Sequence, residues 1–166
     1  MKMMNKILIC IPTFNRNKSL IDCLKSIEKL RNSNLYKIKI LVLDNTITNN
    51  SRIVVKKFNK KSFMKVYQGH ENKRGIVFAR NKCLLFAKKI KPNYMAFIDD
   101  DCMVDKNWLK NIFELLNKVD ADVITGPQLY KGHNKNNYMS VFEKKYKKKI
   151  LKVKWAASNN VFFKFN

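Results

Sequence analysis

Residues 94–109 read YMAFIDDDCMVDKNWL, and their interpretation decides the fold. The apolar run Met95–Ile98 breaks off into three carboxylates, Asp99, Asp100 and Asp101. The chain carries 35 Lys and Arg against 12 Asp and Glu, so these three are a quarter of its acids. If the strand stays extended, Asp99 and Asp101 project to one side and Asp100 points away. Two carboxylates on one edge repel each other unless a cation lies between them. Oxygen-only ligation suits Mg2+ or Mn2+, which retain waters and bridge to substrate phosphates. The competing explanation is that the acids favour the dipole of a following helix. Asp105 is already placed for that task, which leaves the triplet unexplained.

Outward from this stretch, the chain alternates between two periodicities. KILICI (6–11), closed by Pro12, reads as a buried strand, and YKIKILVLD (36–44) as a second ending in Asp44. FMKVYQ (63–68) gives a short third strand, YMAFI (94–98) a fourth and ADVITG (121–126) a fifth. Between them, Leu20, Leu24, Ile27 and Leu30 recur at helical spacing, and NSRIVVKKF (50–58) continues the alternation. A helix opens after Gly75 and runs to Ile90, with an apolar stripe through Val77, Leu84 and Ala87. Another runs from Lys106 to Val119 with Trp108, Ile112, Leu115 and Leu116 inward. This order predicts an α/β fold, a mostly parallel sheet with helices on both faces. Such sheets bind ligands beyond the carboxyl ends of their strands. Pro12-Thr13-Asn15-Arg16, Asp44-Asn45 and Asp99–Asp101 all fall at that edge.

At 166 residues the chain fits one domain, and its 46% hydrophobic content marks a folding chain. The only N-terminal apolar run, ILICIP, is too short to span a membrane and lacks a cleavage site, so a soluble protein is expected. Cys10, Cys23, Cys83 and Cys102 show no CxxC pairing, which points to free thiols in a reducing cytoplasm. No GxxxxGK[ST], GxGxxG, HExxH or GxSxG occurs, so P-loop, dinucleotide, zinc-protease and serine-hydrolase chemistry lack support. His70 and His133 lie in polar stretches and read as solvated histidines.

With its strand ends lined up, the sequence resembles a family 2 glycosyltransferase of the GT-A, Rossmann-like fold. The resemblance runs in the family's order through ICIPTFNR, VLDN, ENKRGIVFARN, FIDDD, NWL and ASNNVFFK. It implies transfer of a sugar, with inversion, from a nucleotide-diphosphate donor to a glycan or lipid-linked acceptor. UDP is the family's default nucleotide, and cell-envelope polysaccharide synthesis the implied setting. Pro12, Thr13, Asn15 and Arg16 would contact the nucleotide, Asp44 its base, and Arg80 would reach toward it. FIDDD corresponds to the DxD-type motif: Asp99 would face the ribose, and Asp101 would hold Mn2+ or Mg2+ bridging the diphosphate. The metal would assist leaving-group departure. Ser158, Asn159 and Asn160 resemble the acceptor side, and they also read as a turn into a final strand, VFFKF. Residues 1–104 would form the nucleotide-binding half and 105–166 the start of an acceptor-side half.

The family usually continues to an acidic motif that supplies the general base. Here no Asp or Glu follows Glu143, so the sequence reads as a truncated or split member, or a nucleotide-sugar-binding remnant. Asp100 and Glu143 are the weak candidates for the base. Residues 138–155 hold Lys144, Lys145, Lys147, Lys148, Lys149, Lys152 and Lys154, with Phe142, Tyr146 and Ile150 every four residues. This fits either a core-packed helix with a solvated Lys face or an amphipathic element on an anionic membrane, at the cytoplasmic face. A nucleic-acid-binding module would also account for the formal charge of +23. It would have no use for the acidic triplet, and no RNP-like, zinc-finger or helix-turn-helix signature is present. Oligomeric state leaves no mark in the sequence.

Overall fold

The computed structural model of the chain describes residues 4–128 and 150–165. Strand β1 (Lys6–Thr13) is central. Ile7, Ile9 and Ile11 face one side of the sheet and Leu8 and Cys10 the other, all buried. Burial on both faces is why its sequence is a continuous apolar run rather than an alternating one. It pairs in parallel with β2 (Lys37–Asp44), from Lys6 opposite Lys37 to Thr13 opposite Asp44. Strand β3 (Val66–His70) extends the sheet beyond β2, with His70 opposite Asp44. On the other side, β4 (Tyr94–Ile98) pairs in parallel with β1.

Two further strands complete the sheet. β5 (Val123–Thr125) and β6 (Asn160–Lys164) give the order β3-β2-β1-β4-β6-β5. β6 runs antiparallel to both of its neighbours, so the last strand in the chain separates β4 from β5. The expected mostly parallel α/β sheet is present, but its fifth strand does not sit beside its fourth. Pairing with β6 places Asn160 opposite Ile98, beside the acidic triplet.

Helices α1 (Asn17–Glu28), α2 (Ser51–Asn59) and α4 (Trp108–Leu116) pack on the Ile7/Ile9/Ile11 face. Helix α3 (Ile76–Ile90) covers the opposite face alone among the described residues. Its buried positions are Ala79, Cys83 and Ala87, while Val77 is 62% exposed. The stripe expected through Val77 is therefore rotated. Three small side chains let the helix lie close on Leu8, Cys10, Leu41, Leu43 and Met95. In α4, Leu109 and Ile112 are buried, and Trp108, Leu115 and Leu116 pack partly buried against the same core.

Strand β3 begins three residues later than its composition predicts. Phe63 is 78% exposed. The start is set by Asn59, whose side chain donates to the Val66 carbonyl at 2.8 Å and accepts from the Val66 N–H at 2.9 Å. His70 is thus a strand residue, its Nε2 donating to the Thr46 carbonyl at 2.6 Å, rather than a solvated loop residue. Cys10, Cys23 and Cys83 are buried, Cys102 is half-buried, and all four are free thiols. No helix among the described residues is long and apolar enough to cross a membrane.

Candidate active site

The carboxyl ends of β1, β2, β3 and β4 open on one side of the sheet, and a cleft of about 320 Å³ lies there. Its walls come from the segment after β1, from Asn45, from the Arg74–Arg80 stretch that opens α3, and from Asp99 and Asp100.

Strand β4 stops at Ile98, and the Cys102 N–H donates to the Asp99 carbonyl at 3.0 Å. The backbone turns within the triplet, so the alternation expected of an extended strand does not continue. Asp100 swings inward and is 3% exposed. Its Oδ2 accepts from Thr13 Oγ1 at 2.6 Å and from the Phe14 N–H at 3.4 Å, and its Oδ1 accepts from Arg16 Nη1 at 3.2 Å. Asp101 remains half-exposed, and its Oδ2 accepts from the same Arg16 nitrogen at 2.6 Å. Asp99 accepts from Arg80 Nη2 at 3.3 Å. The three carboxylates thus meet two guanidiniums. Burial raises the pKa of Asp99, and the Arg80 charge, which pulls it back, does not offset that together with repulsion from Asp101 and Asp100. The Asp100 and Asp101 charges push Arg16 upward in turn.

At the end of β2 the arrangement differs. Asp44 is 1% exposed. One oxygen accepts from the Thr46 N–H at 2.8 Å and Thr46 Oγ1 at 2.6 Å, the other from the Ser51 N–H at 2.6 Å. Asp44 therefore binds the β2–α2 loop to the start of α2, whose first backbone N–H groups need acceptors. Burial alone would raise its pKa, but the hydrogen bonds from Thr46 and Ser51 hold it below the ordinary value.

Asn45, beside it, ties three segments together. Its N–H donates to the Thr13 carbonyl at 2.9 Å. Its Nδ2 donates to the carbonyls of Glu71 and Lys73, both at 2.8 Å, and its Oδ1 accepts from the Gly75 N–H at 2.8 Å. The sequence places Asn45 at this edge without assigning it a role, and it does not single out Phe14, Arg74 or Gly75 as site residues. The available signal was Gly75, the single glycine before a long apolar helix. It adopts φ 135°, and a Cβ there would lie 3.2 Å from the Phe78 ring. Arg74 reaches over the Phe14 ring, 5.2 Å from its centroid, at the cleft wall.

The remaining expected site residues fall as follows. Pro12, Thr13, Arg16 and Arg80 line the cleft. Asn15 adopts φ 56° in the turn after β1, and its Oδ1 accepts from Asn50 Nδ2 at 3.0 Å. Arg80 Nε is buried with no hydrogen-bond partner among the described residues. Ser158 and Asn159 form the turn into β6. Asn159 exchanges two hydrogen bonds with Gln128, at 2.7 and 3.0 Å. Asn160 accepts from Trp108 Nε1 at 3.0 Å and donates to the Gly126 carbonyl at 3.2 Å. Both asparagines thus fasten β6 to its surroundings at the edge where Asp99 emerges. Asp105 accepts from the Asn107 N–H at 2.7 Å, at the entry to α4. Glu143 lies outside the described residues, as do residues 138–149 of the basic segment. Residues 150–155 have no regular secondary structure, and Ile150, Leu151, Val153 and Trp155 are exposed there.

The donor set at the triplet is all oxygen, the chemistry that Mg2+ and Mn2+ prefer. Asp100 is already engaged by Thr13 and Phe14, whereas Asp101 is open to solvent and Asp99 partly so. No cluster of three or more His, Cys, Asp or Glu arranged to cage a metal exists among the described residues. One or two carboxylates fit a metal whose other ligands are waters and substrate phosphates, the usual habit of Mg2+.

Comparison with known proteins places the fold. The glycosyltransferase GlyG of Streptococcus pneumoniae serotype 4 is 28% identical over 118 residues, 71% of this chain and 37% of GlyG. Staphylococcus aureus TarS, a poly(ribitol-phosphate) beta-N-acetylglucosaminyltransferase, is 26% identical over 121 residues, 73% of this chain and 20% of TarS. The crystal structure of TarS 1–349 with UDP superposes with a TM-score of 0.65 at 21% identity, over 78% of this chain and 37% of that one. The Pyrobaculum calidifontis mannosyltransferase PcManGT, in complex with GDP-Man and Mn2+, gives a TM-score of 0.65 at 17% identity, over 77% and 37%. The chain thus spans well under half the length of each of these relatives, and its six-stranded α/β sheet is a GT-A fold. The sequence profile described as "Glycosyl transferase family 2" matches residues 8–165, and the chain belongs to that family.

Proposed function

We propose that this chain binds a nucleotide-diphosphate sugar in the cleft at the carboxyl ends of β1, β2 and β4, and transfers the sugar, with inversion, to a glycan or lipid-linked acceptor. The observation that carries this reading is the meeting of Thr13, Arg16, Arg80 and the Asp99–Asp101 turn around one cleft, in a family 2 chain. UDP is the preferred nucleotide, supported by a UDP complex among the structural relatives. In this reading 1–104 is the donor half and 105–166 the beginning of the acceptor side.

Each residue has a task. Pro12, Thr13 and Asn15 shape the turn under the nucleotide. Arg80, whose buried Nε has no partner among the described residues, and Arg16 supply charge for the diphosphate, where guanidinium pairing is strong. Asp44 holds the loop against which the base rests, and Asp99 faces the ribose. Asp101 holds Mn2+ or Mg2+. When bound, that ion neutralises negative charge on the departing nucleoside diphosphate. Ser158, Asn159 and Asn160 border the acceptor. Inversion needs a base opposite the leaving group, within hydrogen-bond reach of the acceptor hydroxyl. Asp100 and Glu143 are the sequence's candidates. Asp100 is the less free, because its oxygens already hold Thr13, Phe14 and Arg16. A cytoplasmic position at the inner membrane face, through 138–155, completes the proposal.

Calorimetric titration with UDP, GDP and CDP, each with and without Mn2+, tests the reading. Metal-dependent binding of one nucleotide is expected. Failure of all three to bind rejects the donor site.

A further inference from the structure

Arg16 and Arg80 are both paired with the acidic turn, but in different ways. Arg80 is mostly enclosed, and its guanidinium also lies 5.8 Å from the centroid of the Phe97 ring. Arg16 is 56% exposed. Its side chain hydrogen-bonds only to Asp100 and Asp101 among the described residues, and both contacts come from the single nitrogen Nη1. Nη2 and Nε, the edge that would engage a phosphate in a two-pronged fashion, take no part in these bonds.

An exposed ion pair of this kind contributes little to stability, since both partners are well hydrated when apart. Asp100 does not depend on it, being held by Thr13 Oγ1 and the Phe14 N–H. Asp101, the open carboxylate, has no other charged partner among the described residues. The position that a divalent cation would take beside Asp101 is therefore held by a guanidinium that can leave without disturbing the turn.

We propose that Arg16 is the exchangeable counter-cation of this site. Its guanidinium neutralises Asp100 and Asp101 while the cleft is empty, gives up Asp101 to the arriving metal, and turns its free edge to the donor diphosphate. This rests on reading the cleft as a metal and nucleoside-diphosphate site. Arg16 then makes opposite contributions to the two ligands. It competes with metal in the nucleotide-free protein and assists the nucleotide once metal is bound.

The test is Mn2+ affinity, followed by electron paramagnetic resonance, for the wild-type chain, Arg16→Gln, Arg16→Lys and Arg74→Gln, with and without UDP. Arg74 lines the same cleft without pairing to the triplet, so its variant reports the effect of simply removing a positive charge. Without UDP, Arg16→Gln should bind Mn2+ on the order of two- to fivefold more tightly, the range an exposed pair allows. Arg74→Gln should bind as wild type, and Arg16→Lys should lie between. With saturating Mn2+, Arg16→Gln should bind UDP severalfold more weakly. Equal or weaker Mn2+ binding by Arg16→Gln overturns the exchange while leaving the metal site standing, as does equal tightening by Arg74→Gln. Absence of Mn2+ uptake by the wild-type chain, even with UDP, overturns the metal reading and the exchange together. A measurement on the wild-type chain alone guards against misfolding of the variant. The Arg16 side-chain Nε–H resonance should shift on titration with Mg2+, and a resonance that does not move also overturns the proposal.

Discussion

The ends of β2 and β4 both carry buried aspartate at the same edge of one sheet, yet they stabilise it by different means. Asp44 is surrounded by neutral donors, two backbone N–H groups and one hydroxyl, all within the loop it closes. Asp99, Asp100 and Asp101 face two guanidiniums from elsewhere in the chain, with the Thr13 hydroxyl and Phe14 N–H on Asp100. Neutral dipoles from the adjacent backbone cannot be traded for a ligand without opening the loop. A half-exposed guanidinium can be traded for another cation at little cost. A carboxylate's partners, more than its burial, distinguish a permanent fastening from an exchangeable site.

The largest effect expected from this contrast is at Asp44. Asp44→Ala leaves the Thr46 and Ser51 N–H groups buried without acceptors, and each such orphan costs about 1–3 kcal/mol. Urea denaturation should show a loss of roughly 3 kcal/mol, and a midpoint equal to wild type would remove Asp44 from its structural role. Nucleotide preference among UDP, GDP and CDP should also weaken, through the displaced loop.

Asp100→Asn should cost less, about 1–2 kcal/mol, because the amide keeps its shape but weakens a buried acceptor of three donors. The same titration checks it, and a loss as large as that of Asp44→Ala would erase the distinction between the two strand ends.

The acid limb of stability sharpens the contrast. The folded pKa of Asp44 lies below its unfolded value, so the stabilisation is present above the unfolded pKa, near ~3.9. It is lost as pH falls through the folded value. Asp44→Asn should therefore flatten the dependence of the urea midpoint on pH below about 4. A wild-type slope retained in the variant would mean that other carboxylates set the acid limb.

Smallest in stability is Asp101→Ala, within about 0.5 kcal/mol of wild type, since its pair with Arg16 is exposed. Its effect should appear in calorimetry instead, as nucleotide binding that no longer responds to Mn2+. Strong destabilisation with unchanged metal response would invert the assignment of fixed and exchangeable ends.

Much of the framework is legible from periodicity. The apolar runs of β1, β2 and β4 are continuous because both faces are covered, the repeat of α1 names its buried face, and that of α4 finds Ile112 but passes over the fully buried Leu109. The stripe of α3 is less legible. Ala87 belongs to the expected stripe, but Ala79 and Cys83 are too small to stand out beside Val77 and Leu84, although the small size of all three buried residues is what seats the helix. Several residues that line the cleft, Thr13, Arg16, Arg80 and Asp99 among them, were legible in the sequence, but their partners were not. Alternation along an extended strand turns Asp100 away, whereas the turn closed by Cys102 and Asp99 brings it to Thr13. Asn45 could not be recognised as the link between β1 and the loop before α3, because its partners are backbone atoms.

The succession of strands and helices and the strand ends at which polar groups gather are written in the sequence, because they depend on local spacing and on which faces are apolar. The family is legible there too, through the resemblance of motifs in order. Only the folded chain shows that β6 enters between β4 and β5, that Asp100 meets Thr13 across 87 residues, and that Arg16 pairs with Asp100 and Asp101. The physical reason is that periodicity encodes burial but not partnership. Which strand pairs with which, and which charge meets which, is set only when the sheet closes and distant turns are brought to one edge.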